Sequence, residues 1–244
     1  MLVPASSLFE FEISAADGAG GQVHDLQVDD RRWAVRDIVV EGDDGLTLVD
    51  PAAVWADHAR HTLRVALTAE QIAEAPGIES HPAIVHQQRV GSYNHLGRAD
   101  AWSSEDWRPP VFTVLETTPA KPSRPRRIDP HLRSLRELSH YRLDAHDGEA
   151  GRIRDWLVDD RAWLTRYAVV RTAGMGRSKD VLVPVRWLGP VSYSARIVHA
   201  DLRRDAVIQA PDFVPATLPD TDYEMRLLGW YDHPSRRPRS VSSG

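Results

Sequence analysis

Residues 17–40 of the chain, DGAGGQVHDLQVDDRRWAVRDIVV, return 130 positions later as DGEAGRIRDWLVDDRAWLTRYAVV, with 12 of 24 positions identical. The matches continue outside that window. Leu2 and Leu8 answer Leu132 and Leu138 at the same offset, while Leu67, Ala75 and Pro76 answer Leu202, Ala210 and Pro211 at an offset of 135. A repeat this long constrains the fold before any other feature does. A unit of ~90 residues can close a core of its own, whereas solenoid units of ~20–50 residues must stack to do so. The sequence therefore predicts two tandem domains, 1–97 and 132–233. The five residues that separate the offsets fall in the loop around Thr172–Asp180, where Gly174 and Gly176 make an insertion cheap.

Within each copy the signals are those of short strands. Asp17-Gly18 and Asp147-Gly148 stand between apolar runs, and both residue types accept positive φ in a primed hairpin turn. Gly21 and Gly151 open strands that end at Val28 and Val158, and a glycine inside a strand marks a bulge or a close backbone approach. Asp29-Asp30-Arg31 and Asp159-Asp160-Arg161 make the next turn. Trp33, Val35 and Val39, and in the second copy Trp163, Thr165, Tyr167 and Val169, alternate as a third strand. Strands are expected again at 46–49 with 62–66, and at 181–185 with 197–200. A short helix closes each unit. In the first copy Thr68 and Gln71 have the form of a capping box, and in the second Arg203 replaces the capping residue.

Between the copies, residues 98–131 hold six prolines and the run KPSRPRR, which reads as an extended linker. Val111–Leu115 inside it is apolar and β-prone and is expected to pack as an added edge strand. Residues 234–244 read as a polar, unstructured tail.

The order of a Leu-rich opening strand, an Asp-Gly turn, a Gly-x-[Val/Ile]-x-Asp strand, an Asp-Asp turn and a Trp-x-x-Arg-x-x-Val-Val strand resembles the PRC-barrel domain. The second copy is the better match, with LRSLRELSHYRLDAHDGEAGRIRDWLVDD and Leu228-Gly229-Trp230-Tyr231 near its end. In the first copy Phe11-Glu12 departs from the usual polar opening, and Gly91-Ser92-Tyr93 is a reduced version of the end. The resemblance implies an all-β fold: two tandem small PRC-type β-barrels, each with a short C-terminal helical turn, joined by the Pro-rich linker. Relatives of this kind include the cytoplasmic part of the photosynthetic reaction-centre H subunit and the C-terminal barrel of ribosome maturation factors. A fold transfers more safely than a job does.

Chemistry in the sequence is sparse. There is no cysteine, which removes disulfides, thiolate metal sites and Cys nucleophiles together. The Asp-Gly and Asp-Asp pairs are accounted for by turn geometry. Asp25 and Asp155, inside strands, are expected to accept hydrogen bonds from turn amides or to pair with Arg36 and Arg166. The conserved-by-repeat set Asp17, Gly18, Gly21, Asp25, Trp33, Arg36, Asp147, Gly148, Gly151, Asp155, Trp163 and Arg166 is thus read as structural, with no catalytic, cofactor or metal residue among them. His58-Ala59-Arg60-His61 offers two imidazoles but not the further ligands a zinc site needs. No apolar run approaches the ~18 residues of a membrane span, no leader is apparent, and the chain is expected to be cytoplasmic.

Charge separates the copies. Residues 1–97 carry 15 acidic and 6 basic residues, a net −9, whereas 132–244 carry 15 and 18, a net +3. The overall −5 argues against a polyanion such as nucleic acid as partner. It leaves room for the two units to dock on each other. The expectation is a non-catalytic scaffold or adaptor that binds a protein partner through its barrel surfaces and carries no cofactor. The rival readings are a reaction-centre H-subunit-like electron-transfer accessory, a ribosome-associated RNA-processing factor, and an enzyme with a pocket between the barrels.

Overall fold

The computed structural model describes residues 1–43, 45–78, 129–173, 178–215 and 217–233. The expected edge strand at 111–115, the Pro-rich stretch, the tip of the Thr172–Asp180 loop, Gly91-Ser92-Tyr93 and the C-terminal tail lie outside the described residues.

Each copy begins with a three-residue strand and one turn of helix, β1 (Leu2–Pro4) and α1 (Ala5–Leu8). A hairpin follows, β2 (Glu12–Ala15) and the long β3 (Gly18–Asp29), then β4 (Ala34–Gly42), β5 (Gly45–Val49), β6 (Val54–Asp57), β7 (Thr62–Val65) and α2 (Ala69–Ala73). The second copy repeats this as β8 (Leu132–Ser134), α3 (Leu135–Leu138), β9 (Arg142–Ala145), β10 (Gly148–Asp159), β11 (Leu164–Thr172) and β12 (Asp180–Pro184). It continues with β13 (Leu188–Ser192), β14 (Ile197–Ala200) and α4 (Arg204–Ile208), and adds α5 (Thr221–Asp232). The protein is mostly β, as the alternation predicted.

The strands join into one mixed, 14-stranded sheet with the path β13-β14-β9-β10-β11-β4-β3-β2-β7-β6. Four short strands sit off that path. Two of them cross from one copy to the other: β1 pairs antiparallel with β10, Leu2 opposite Asp159 and Pro4 opposite Leu157, and β8 pairs with β3, Leu132 opposite Asp29 and Ser134 opposite Gln27. The buried apolar side chains of both copies form a single continuous core that runs from Val3 to Tyr231.

The hairpin turn lies one residue earlier than the Asp-Gly signal placed it. Ala15 faces Gly18 and Ala145 faces Gly148, so Ala16-Asp17 and His146-Asp147 are the turn and each glycine already belongs to the strand. Gly18 and Gly148 take φ of 150° and 124° there. Gly21 and Gly151 are sites of close backbone approach: a Cβ would stand 2.4 Å from the Glu41 carbonyl oxygen at the first and 2.2 Å from that of Arg171 at the second. Next to each, one residue is bulged out of the ladder, Gly20 and Ala150.

The short closing helices that were expected are α2 and α4; the 12-residue helix α5, about three turns long, is an addition to them. Its signals are present in the sequence: Asp220 accepts a hydrogen bond from the Tyr223 amide at the N-terminus, and Leu227 and Tyr231, four apart, are buried. The Tyr167 hydroxyl donates to Glu224 and the Trp230 indole donates to the Ala206 carbonyl, fixing the helix on the second copy.

Candidate functional site

Of the residues kept by the repeat, Asp25, Asp30 and Trp33 and their counterparts Asp155, Asp160 and Trp163 lie at the seam between the copies, and the seam is built around a local two-fold axis. Ala34 of β4 faces its counterpart Leu164 of β11. On either side, the Val35 amide donates to the Trp163 carbonyl at 2.8 Å and the Thr165 amide donates to the Trp33 carbonyl at 2.7 Å. Residue i meets residue j and j meets i, which is the isologous pattern of a two-fold dimer, here within one chain. Trp33 and Trp163 both reach this contact with positive φ, 57° and 50°. That conformation follows from the preceding turn, in which Asp29 and Asp159 accept from the amides two residues on, those of Arg31 and Arg161. Trp33 stacks on Trp156 with ring centroids 4.9 Å apart; Leu26 stands where Trp156 would have its repeat partner.

Asp25 and Asp155 tie the exchanged segments down. Asp25 is buried and accepts from the Ser134 hydroxyl, from the Arg136 amide at 3.1 Å and from the adjacent Leu26 amide at 2.7 Å. Asp155 accepts from the Ser6 hydroxyl, from the Ser6 amide at 3.1 Å and from the Trp156 amide at 2.8 Å. Ser6 and Arg136 are the same position of the repeat. Each carboxylate therefore satisfies the same first-turn amide of the other copy's short helix, a cap supplied from across the seam. Burial pushes both carboxyls above the usual range, and the hydrogen bonds they accept oppose that rise.

The expected pairing of Asp25 and Asp155 with Arg36 and Arg166 is not what forms. Arg36 lies 3.8 Å from Asp29 instead, and Arg166 sits exposed on β11 beside Tyr167. The reason is steric: a buried strand carboxylate faces the helix end packed on it, whereas a long arginine on an exposed position stays in water.

Turn geometry also explains only half of the repeated aspartates. In each Asp-Asp pair the first shapes the turn and the second reaches across. Asp30 accepts from His131 at 2.8 Å and from the Arg133 guanidinium at 2.6 Å; Asp160 meets His58 and the α-amino group of Met1. Asp17 and Asp147, in the hairpin turns, accept from the first amides of α2 and α4, those of Ala69 and Arg204. Thr68 and Gln71 form the predicted capping box. Arg203 has no side-chain cap, so Asp147 is the side chain that caps α4. These long-range roles carried no signal in a single sequence beyond the fact of repetition.

His58 and His61 pack on Phe11, one edge-on and one stacked. Among the described residues no cluster of three metal-type side chains occurs, and no helix is long and apolar enough to cross a membrane. Two open recesses of about 310 Å³ mark the surface. In the one beside β12, Lys179 is held by the Ala210 carbonyl and Asp212, both at 2.6 Å, and Arg171 pairs with Asp180 at 3.0 Å. The other lies on the first copy, between β2 and β7, and is lined by Ser14, Arg60, Thr62 and Arg64. The chain matches no protein-family model and no curated protein.

Proposed function

We propose that this chain is a non-catalytic scaffold or adaptor: two PRC-type barrels fused into one body, binding a protein partner through the barrel surfaces. The observation that supports this reading is the use made of the repeated carboxylates. Asp17, Asp25, Asp147 and Asp155 each accept hydrogen bonds from the backbone of another element. A carboxylate so engaged holds a fold together; a general acid or base needs a lone pair turned to a substrate.

Affinity purification of the full chain from its native host tests the proposal. A defined protein partner recovered in fixed ratio after nuclease treatment is the expected result. Recovery with ribosomal particles, or with pigment-protein membrane, would replace the adaptor by an RNA-processing or a photosynthetic role.

A further inference from the structure

Along one row of the sheet the outward side chains of the two copies are opposite in charge. On the first copy Glu12 of β2 faces Gln22 of β3, and Gln22 faces Glu41 of β4. The same positions in the second copy, 130 residues on, are Arg142 of β9, Arg152 of β10 and Arg171 of β11, again directly opposite one another. Cross-strand partners share a face of the sheet, so each copy carries three outward side chains in line, at steps of ~4.8 Å. One row reads Glu-Gln-Glu and the other Arg-Arg-Arg. Five of the side chains are exposed and Arg171 is half-buried.

Like charges directly opposite each other in a ladder repel, so the arginine row costs the isolated molecule stability. Its neighbours relieve only the ends. Glu149 lies 3.5 Å from Arg142, an exposed pair that contributes little, and Asp180 lies 3.0 Å from Arg171. Arg152, in the centre, has no carboxylate partner among the described residues and donates to the His140 carbonyl at 3.4 Å. Arg154, two residues along β10, is a fourth outward guanidinium, so the face stays positive even with Asp144 of β9 counted in. On the first copy His24 lies 3.2 Å from Glu41, and Glu12 has no ion pair among the described residues, because Arg60 and Arg64 are both held by Asp57. The two rows stand on opposite sides of the local axis. Ala34 and Leu164 face each other there, and Glu41 and Arg171 lie seven residues farther along β4 and β11, ~23 Å away at ~3.3 Å per residue. Within one molecule they cannot meet.

We propose that the arginine row of one molecule docks on the acidic row of a second copy of this chain, so that the protein self-associates head to tail. Both rows have the same step, set by the strand spacing, so the side chains meet one to one. Gln22 and Arg152 are central and meet whichever way round the rows are laid, and the outer arginines then meet Glu12 and Glu41 as charge-assisted, bidentate pairs. Charge selects this occupant. The first copy is net −9 and the residues from 132 on are net +3, which favours first-on-second contact over first-on-first or second-on-second, while a chain of net −5 repels a polyanion. The contact is heterologous, since it joins two different faces. It needs no other partner and stands apart from the adaptor role.

Sedimentation velocity of the full chain over a series of concentrations, in about 25 mM and about 500 mM salt, is the test. At low salt the sedimentation coefficient is expected to rise with concentration, and at high salt the dissociation constant should increase roughly ten-fold or more. Arg152→Glu and Gln22→Arg each set like charges against one another at the centre of the contact, and each is expected to weaken association roughly ten-fold. The double variant Gln22→Arg/Arg152→Glu restores opposite charges there and is expected to return to within about three-fold of the wild type. Arg152→Glu also breaks the like-charge row, so in dilute, low-salt solution its melting temperature should equal or exceed that of the wild type, which separates lost docking from lost folding. A chain that stays monomeric at low salt, association unchanged by salt or by the single variants, or a double variant no tighter than either single one overturns the proposal. So does binding of single-stranded oligo-dT that Arg152→Glu abolishes in a chain that does not self-associate.

Discussion

The two junctions across the seam do the same job with unequal parts. At both, a strand aspartate accepts from the first-turn amide of the other copy's helix. The hydroxyl that completes the site comes from the N-cap residue Ser134 at one junction and from Ser6, two positions further along the repeat, at the other. The carboxylate stayed in register while the hydroxyl moved. What the architecture requires is therefore an acceptor for the helix end, and the hydroxyl is an accessory that can be supplied from either of two places. The periphery has diverged further: Tyr167 of the second copy anchors α5, and the position equivalent to it in the first is Asp37.

Substitutions can break or sharpen this comparison. The largest effect is expected at the close approaches. Gly151→Ala places a Cβ 2.2 Å from the Arg171 carbonyl oxygen and Gly21→Ala places one 2.4 Å from that of Glu41. Each should cost more than about 3 kcal/mol by denaturant unfolding. Gly148→Val meets only open space within 3.9 Å, so its cost is backbone strain alone, about 1–2 kcal/mol. A ranking with Gly148 above Gly151 would contradict the geometry.

Next come the junction carboxylates. Asp25→Ala strands the Ser134 hydroxyl and the Arg136 and Leu26 amides in a buried site and should cost about 3 kcal/mol. Asp155→Ala strands the equivalent donors where water can replace the carboxylate, and about 1–2 kcal/mol is expected. Equal losses would mean that the hydroxyl positions, not burial, set the strength of the junctions.

The same pair has a pH signature. Burial raises the folded-state pKa of Asp25, so its contribution is fully present below the unfolded value and is lost as pH rises through the folded one. Asp25→Asn removes the titration. The melting temperature of the wild type relative to Asp25→Asn should therefore fall as pH is raised from about 4 to about 7. A gap that grows in favour of the wild type over that range would show that hydrogen bonding outweighs burial.

The smallest effect separates the two helix caps. Asp147→Ala removes the side-chain cap of α4 and should cost about 1 kcal/mol, while Asp17→Ala leaves the Thr68 capping box in place and should cost roughly 0.3 kcal/mol. Thermal melts of the two variants, run side by side, decide it.

Most of the strands were legible because their alternation is local: Gly21–Val28, the Asp-Asp turn and the Trp-led third strand follow from residues within a few positions of one another. The capping box at Thr68 was legible for the same reason. The hairpin turn was misplaced by one residue because Asp17 is recruited to the end of α2, a demand made 52 positions away. Asp25, Asp30, Asp155 and Asp160 were identifiable as repeated residues, but their partners lie over 100 positions off in the other copy. No periodicity reports such a partner.

The crossing of β1 and β8 has a consequence in time. Leu2 completes its strand pairing only with Asp159, so during synthesis β1 has no partner until the long strand β10 of the second copy has been made. At ~5–20 residues per second the wait is on the order of 8–30 s. During it the long first-copy strand, Gly18–Asp29, also lacks Leu132–Ser134 along one side. The nascent first copy therefore carries unpaired strand edges over that time, and its final structure is reached through pairings of high contact order that form only after the second copy's first strands appear.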